Sequence, residues 1–414
     1  MKRNHNEQSR ESRILGEIDF GAHVEADTLT HVLRDRHLAS FGQSMRPVRA
    51  QGSHSAINFN NTCYDPTHMV ATAAGVTCFS RRRPRTSPVF ETFWHFAAER
   101  QRIFHARAAR SSPPWTLDPI LATYRFTNAY RAADRVSQFL INEVIPGSSA
   151  EPVDVLFRTL LFKVFNRVST WRALDEELGP LHASEFNPKA CAEVLSRQRQ
   201  LGRQVYSAAY IMPMPAMPGA TAKHEAHLAL LGDLLTTGTL RSLLEARKLG
   251  DVYVVLTQVP SFGPFLAFQF SIDLNYSPVM SHSEMDFVIA GPGARSGIQK
   301  CFTDLDGMSY EDVIRDTCER AGHEFSERGL DFEDLWGRPL QLIDCQNLFC
   351  EVDKYARVAH PEAVGTGRIR IKQRYSVDPH PVGYGFPTRW RVTVPEWARW
   401  VNSAEPVRVS QLAR

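Results

Sequence analysis

Apolar positions recur at helical spacing along most of this chain. Residues 91–112 read as an Arg-rich amphipathic helix that Pro113 and Pro114 bring to an end, since proline cannot continue the ladder. Asp118-Pro119 then opens a helix with a capping side chain and proline in the first turn. Its apolar positions are Ile120, Leu121, Tyr124, Ala129, Val136 and Leu140, and Pro146-Gly147 stops it. Val153–Trp171 predicts one or two buried helices, and Asn187-Pro188 caps another that runs toward Tyr206. Residues 221–248 are helical, whereas Asp251–Thr257 fits a strand or a buried helix equally. Phe262–Tyr276 and Asp344–Arg357 read as helices, the first nearly all apolar, and Glu311–Arg328 as a charged surface helix.

Around these helices the pattern changes. Residues 1–20 read as a disordered tail, and residues 21–90 as an irregular region with turn-rich stretches such as Asn58–Pro66. Met212–Gly219 is proline-rich and reads as a loop, linker or surface lid. Arg368–Tyr375 alternates polar and apolar residues as strands do, so a small C-terminal β element is expected. The predicted fold class is therefore mostly α. A helical domain over residues 91–375 is followed by a C-terminal extension over 376–414.

Composition narrows the function classes. The 414 residues are 43% hydrophobic and 22% charged, as in a globular protein. No apolar run approaches the roughly 20 residues that cross a bilayer, so no membrane partner is expected. The cytoplasm is the expected compartment, or the nucleus for a eukaryotic protein. Seven scattered cysteines without a Cys-x-x-Cys pair argue for a reducing compartment and against a cysteine zinc cage. The net charge of +3 is unremarkable, but only eight of the 48 cations are lysine. Arginine holds phosphate bidentately and stacks on bases, and Arg81, Arg82, Arg83 and Arg85 lie close together. Nucleic acid suits such runs; a solvated Arg-rich surface explains them equally.

Four segments carry candidate chemistry. Ala290–Ile298 (AGPGARSGI) reads as a Gly-Pro-Gly hairpin between two helices. Gly291, Gly293 and Gly297 would permit positive φ and aim amides at a DNA phosphate, with Arg295 beside them. A helix cap and tight turn would explain the same glycines. No Gly-Lys-Ser/Thr phosphate loop occurs. In the helix from Asp344, the residues Asp344, Asn347, Glu351 and Lys354 share one face, among Leu348, Phe349, Val352 and Tyr355. A carboxylate facing a lysine on a buried helix serves acid–base chemistry or holds an amine. Arg125, Asn128, Arg131 and Asp134 fall at helical spacing beside Phe126 and Tyr130, either to read bases or to brace helices. Gln269 and Asp273 stand at i,i+4 in an apolar helix, either against a flipped base or in a core network. His224-Glu225-Ala226-His227 falls short of the metalloprotease spacing, so no protein metal site is expected.

Taken together, these segments resemble a known family. The matching text is Pro114-Trp115-Thr116 with Asp118-Pro119, then Tyr124–Asn128 with Tyr130-Arg131 and Asp134-Arg135. It continues through Phe157-Arg158, Phe165–Arg167, Gly263–Phe265, Asp273-Leu274 with Tyr276, Gly291–Gly293, and Leu348 with Cys350-Glu351 and Lys354-Tyr355. Across about residues 95–375 the chain is similar to the helical domain of the phage thymidine-hypermodification enzymes. These are the 5-hydroxymethyluracil DNA kinases and the α-glutamyl/putrescinyl-thymine pyrophosphorylases, or amino acid:DNA transferases. The resemblance implies a helix-hairpin-helix DNA glycosylase-like fold that flips a base out of the duplex. By position Asp344 is the nearest match to the glycosylase carboxylate, while the glycosylase lysine position falls near Ser296-Gly297. The kinase branch adds a Walker-type domain that this chain lacks, which points to the transferase branch.

The activity so implied is displacement of pyrophosphate from activated 5-hydroxymethyluracil in double-stranded DNA by the amine of an amino acid or polyamine. Arg125 and Arg131 are then candidates for the pyrophosphate, Asn128 and Gln269 for the base edge, and Asp344 or Glu351 with Lys354 for the amine. Gly291, Gly293, Arg295 and Gly297 are assigned to a DNA phosphate, and Asp273 to the binding site. Mg2+ accompanying the pyrophosphate is the candidate cofactor, and a 5-hydroxymethyluracil DNA kinase the candidate protein partner. A DNA glycosylase and a non-catalytic DNA-binding partner of such a kinase are the rival readings.

Overall fold

The structure, a computed structural model, describes residues 69–72, 75–78, 83–209, 211–363, 370–377 and 382–400. The expected tail at 1–20, most of the irregular region, Arg81, Arg82, Arg368 and Ile369 lie outside these residues. The chain divides after Cys78 into two units. In the first, the described residues form an antiparallel hairpin, β1 (Met69–Thr72) with β2 (Gly75–Cys78), registered Met69 to Cys78.

The second unit is helical, as its spacing predicts. The two-residue strand β3 (Arg85–Thr86) leads into α1 (Pro88–Ala108), whose N-cap Ser87 accepts from Val89 N. After α2 (Pro119–Thr123) and α3 (Arg135–Phe139) the backbone widens into one π-helical turn, Leu140–Val144. Buried Arg158 ties down the end of that turn by donating to the carbonyls of Val144, Ile145 and Ser149. Gly147, at φ +42°, leaves room for that guanidinium, which any Cβ would meet. Then come α4 (Pro152–Phe165), α5 (Val168–Leu178), α6 (Pro188–Gln200), α7 (Lys223–Thr236), α8 (Thr239–Glu245) and α9 (Leu249–Thr257). Asp251–Thr257, ambiguous by pattern, is thus helical. The last helices are α10 (Pro264–Asn275), α11 (Pro292–Cys301), α12 (Tyr310–Glu327) and α13 (Leu342–Ala359), with β4 (Phe302–Asp304) pairing back to β3.

Helix α13 runs through the core against α1, α11 and α12. Phe93 of α1 packs on Phe349 of α13 with ring centroids 4.5 Å apart, and Trp94 packs edge-on against Phe325 of α12 at 5.0 Å. The loop at 211–220 is strapped down rather than free, because Met212 is buried and His227 bonds the Pro213 carbonyl at 2.9 Å.

Three expectations need correction. The helix predicted from Asp118 to Leu140 breaks between Thr123 and Arg135, where only the 3-10 turn Arg131–Ala133 interrupts irregular backbone. Tertiary partners override the local pattern there, because side chains and the segment 373–375 take the backbone groups a helix would have paired. No hairpin between two helices forms at Ala290–Ile298 either. Phe287–Gly291 is irregular and enters the single helix α11. Gly291 sits at φ −69°, and none of Gly291, Gly293 and Gly297 has positive φ. These glycines are small for closeness instead: a Cβ would strike the Phe265 ring at Gly291, Cys350 Sγ at Gly293 and the Phe349 carbonyl at Gly297. Finally, the expected C-terminal β element reduces, among the described residues, to the isolated bridges Tyr124–Arg374 and Tyr384–Arg399.

Gly297→Ala should therefore destabilise by at least the ~1–3 kcal/mol typical of overpacking, since the obstructing atoms are main chain. Gly322→Ala, in α12 with open space at its Cβ, should gain up to ~1 kcal/mol from helix propensity. Urea denaturation of the two variants checks both, and a neutral Gly297→Ala would remove the close-crossing account.

Candidate functional site

The four polar residues on one face of α13 meet one stretch of chain, residues 126–131. Asp344 Oδ1 accepts from Arg131 N at 2.9 Å, while its Oδ2 accepts from Gln341 N in the capping box of the same helix. One turn on, Asn347 donates from Nδ2 to Thr127 Oγ1 at 3.0 Å and to the Asn128 carbonyl at 3.3 Å. Glu351 Oε2 accepts from Thr127 N and from Lys354 Nζ, both at 3.0 Å. Lys354 Nζ lies 4.4 Å from the centre of the Phe126 ring. The face read from the sequence is real, and its first task is to hold a non-helical segment whose amides would otherwise be orphaned in the interior.

Asn128 belongs to the same outer cluster. Its side chain accepts from Arg100 Nη2 at 2.9 Å and donates to the Ala133 carbonyl, and its amide donates to Asp134 Oδ1. Arg100 also donates from Nε to the Thr127 carbonyl. Burial pushes the Asp134 carboxyl up to about 6, against the Asn128 amide that pulls it down. Arg125, in contrast, is exposed.

A second cluster lies deeper, on the far side of Arg131. Asp273 of α10 takes both Arg131 Nη1 and Nη2, at 2.7 and 3.0 Å, and Lys163 Nζ of α4 at 2.6 Å. Arg131 Nε donates to Gln269 Oε1, whose amide group donates to Gln346 of α13, and Arg131 Nη1 also reaches Tyr276 Oη. Every member is nearly inaccessible, Asp273 being 2% exposed. Burial pushes Asp273 up, but the charges of Arg131 and Lys163 outweigh it and hold the carboxyl below the ordinary range. Asp344 has no such cation. Burial, followed by the charge of Glu284, pushes it up to about 7 despite its two amide donors.

Candidates named from sequence thus fall into three places. Arg131, Gln269, Asp273 and Asp344 join in the deep cluster; Asn128, Glu351 and Lys354 form the outer one. Arg295 stands apart with the glycine seam, its Nε on the Ala290 carbonyl and its guanidinium over the Tyr310 ring. The helical register proposed for Arg125, Asn128, Arg131 and Asp134 is not what brings the last three together. Asn128 and Asp134 meet through the turn itself, while Arg131 points inward to α10. Pattern reading missed Lys163. Lys163 had a signal, being the single charge in the run Leu160–Phe165, and a buried charge needs a partner. Among the described residues no group of three His, Cys, Asp or Glu side chains could hold a metal, and His224 and His227 bond Ser196 and Tyr206 instead.

Chemically, the deep cluster is closed and fully used, so it positions rather than reacts. Glu351 and Lys354 are the ionisable pair nearest the surface, with side chains 10% and 18% exposed. Both bonds to Glu351 fall on Oε2, so Oε1 is the acceptor left at the edge of the cluster.

Comparison with known proteins places these residues in a family context. Residues 87–365 match the family described as "5-hmdU DNA kinase, helical domain". The chain is 27% identical over 302 residues to the 5-hmdU DNA kinase of Bacillus phage SP10, a match covering 66% of this chain and 46% of that protein. The chain therefore spans about half the length of that curated relative. No solved structure matches it.

Two outcomes follow from the clusters. Asp273→Ala strands Arg131 and Lys163 in the interior and should cost about 3–5 kcal/mol, read from the urea midpoint. A loss below about 1 kcal/mol would mean that water reaches those cations. Asp344, raised from 3.8 to about 7, holds its proton longer in the folded than in the unfolded chain. Its contribution to stability is thus present below about pH 4 and is lost as pH rises toward about 7. Asp344→Asn should flatten the stability–pH profile across that window. Parallel profiles for variant and parent would refute the shift.

Proposed function

Because the chain belongs to the family of the 5-hmdU DNA kinase helical domain, we propose that it acts on 5-hydroxymethyluracil in DNA. In this reading it transfers an amino-acid or polyamine amine onto the base after activation as the pyrophosphate. The observation that carries the reading is the match across residues 87–365, together with the ionisable Glu351–Lys354 pair near the surface of that helical body.

The step needs few groups. The amine nitrogen attacks the methylene carbon, the carbon–oxygen bond breaks, and pyrophosphate leaves with the bonding pair. The proton released from nitrogen passes to a carboxylate, and Glu351 Oε1 serves as that base. Lys354, with Nζ 3.0 Å from Glu351, supplies positive charge for the leaving group. Asp344 and Asn347 fix the 126–131 segment around them and act as positioning residues.

One observation favours a second reading. Asp344, Asp273 and Arg131 are committed to internal partners, as in a scaffold, so a non-catalytic DNA-binding partner of a kinase is the rival.

Nucleoside mass spectrometry separates them. Duplex DNA carrying pyrophosphorylated 5-hydroxymethyluracil is incubated with the protein, amino acids and polyamines. A thymidine–amine adduct is expected, and Glu351→Gln should lower its rate by about 10²–10⁴-fold, the usual worth of a general base. Free base and abasic sites would identify a glycosylase instead. Bound but unchanged DNA would favour the scaffold.

A further inference from the structure

Beside the outer cluster the surface carries a row of cations with which no acid among the described residues pairs. Arg370, Lys372 and Arg374 alternate along the segment 370–375, and all three are exposed. That segment is pinned to the start of the clamped stretch. Arg125 N donates to the Gln373 carbonyl at 3.1 Å, Tyr375 N donates to the Thr123 carbonyl at 2.9 Å, and Tyr124 and Arg374 form the antiparallel bridge between them. Arg125 is exposed too, but it follows the bridged Tyr124, so its side chain leaves the ladder on the face opposite Arg374. Among the described residues none of these four side chains makes an ion pair or hydrogen bond. Arginines on α1 and α12 behave differently: Arg102 is paired with Glu99 at 2.6 Å, Arg320 with Asp316 at 3.3 Å, and Arg328 with Glu91 at 2.9 Å.

Three like charges at alternate positions of this segment repel one another, and among the described residues no acid pairs with them. A polyanion would offset them. Its charges would have to repeat along a line, as they do on the backbone of duplex DNA, where a phosphate occurs every 3.4 Å along each strand. The ridge also leads somewhere. Arg374 stands opposite Tyr124, three residues before Thr127, whose amide is held by Glu351, so a strand lying on the ridge runs toward the Glu351–Lys354 pair.

We propose that Arg370, Lys372 and Arg374 form the surface on which the DNA phosphate backbone lies, positioning the strand at the outer cluster. The proposal rests on the reading of DNA as substrate. It adds three residues beyond the family match. Contacts of this kind hold the duplex without reading its sequence.

The test is fluorescence anisotropy of a labelled, unmodified duplex with the full chain across about 50 to 200 mM salt. Each alanine substitution should lower the salt slope by about 1. The triple variant should lose about 2.7, three phosphates at roughly 0.9 each. Arg241→Ala, an exposed cation on α8, serves as the control and should leave the slope unchanged. All three substituted side chains are exposed and unbonded, and matching thermal melts confirm that the variant folds.

An unchanged slope in the folded triple variant overturns the proposal, as does failure of the parent chain to bind duplex. Binding to anionic vesicles in place of duplex, lost in the same variant, would assign the ridge to a membrane surface and equally overturn it. The two readings fail separately. An adduct with an unchanged slope sinks the ridge alone; ridge-dependent binding without an adduct sinks the transfer reaction alone.

Discussion

Asp273 is the hub of the helical unit. One carboxylate in the middle of an apolar helix neutralises two cations, Arg131 from an irregular segment and Lys163 from α4. Neither cation could be buried without it, and Asp273 could not ionise there without them. Arg131, once fixed, delivers its own amide to Asp344, which links the deep charge cluster to α13. The segment before Arg131 then has one path across the face of that helix, and Asn347 and Glu351 meet its remaining polar groups in order. A single buried ion triad thus sets where the surface-near pair, Glu351 and Lys354, stands relative to the rest.

The same interlocking explains which parts of the molecule were legible from its letters. Helix α13 could be read because its apolar and polar faces follow one period, and the polar face it implied for Asp344, Asn347, Glu351 and Lys354 is the face observed. The caps of α2 and α6, Asp118 and Asn187, were equally local and equally readable. The segment from Tyr124 to Tyr130 was not. Its letters have helical spacing, but its conformation is decided by Glu351, Asn347 and Gln373, each more than 200 positions away. The glycines of α11 failed for a related reason. A glycine needed for positive φ and a glycine needed for a close helix crossing look the same in sequence, and only the position of the Phe349 carbonyl tells them apart.

Two readings of polar residues in the core competed from the outset, chemistry and bracing, and the distances separate them by residue rather than by motif. Asp344 has the most perturbed carboxyl of the α13 face, yet both its oxygens are occupied by amides. Perturbation alone would have nominated it. Glu351 keeps one oxygen at the edge of its cluster. For a group that must take a proton from a substrate, an available lone pair matters before the affinity for the proton does.

The bonds that close this site join residues more than 200 positions apart: Arg131 to Asp344, and Thr127 to Glu351. During synthesis the segment 126–131 therefore leaves the ribosome long before the helix that satisfies its amides. For that interval Arg131 and Lys163 wait for Asp273, and all of them wait for α13. Contacts of such sequence separation form late and slowly. The nascent protein must therefore carry an unfinished interior until α13, residues 342–359, has emerged and can close it.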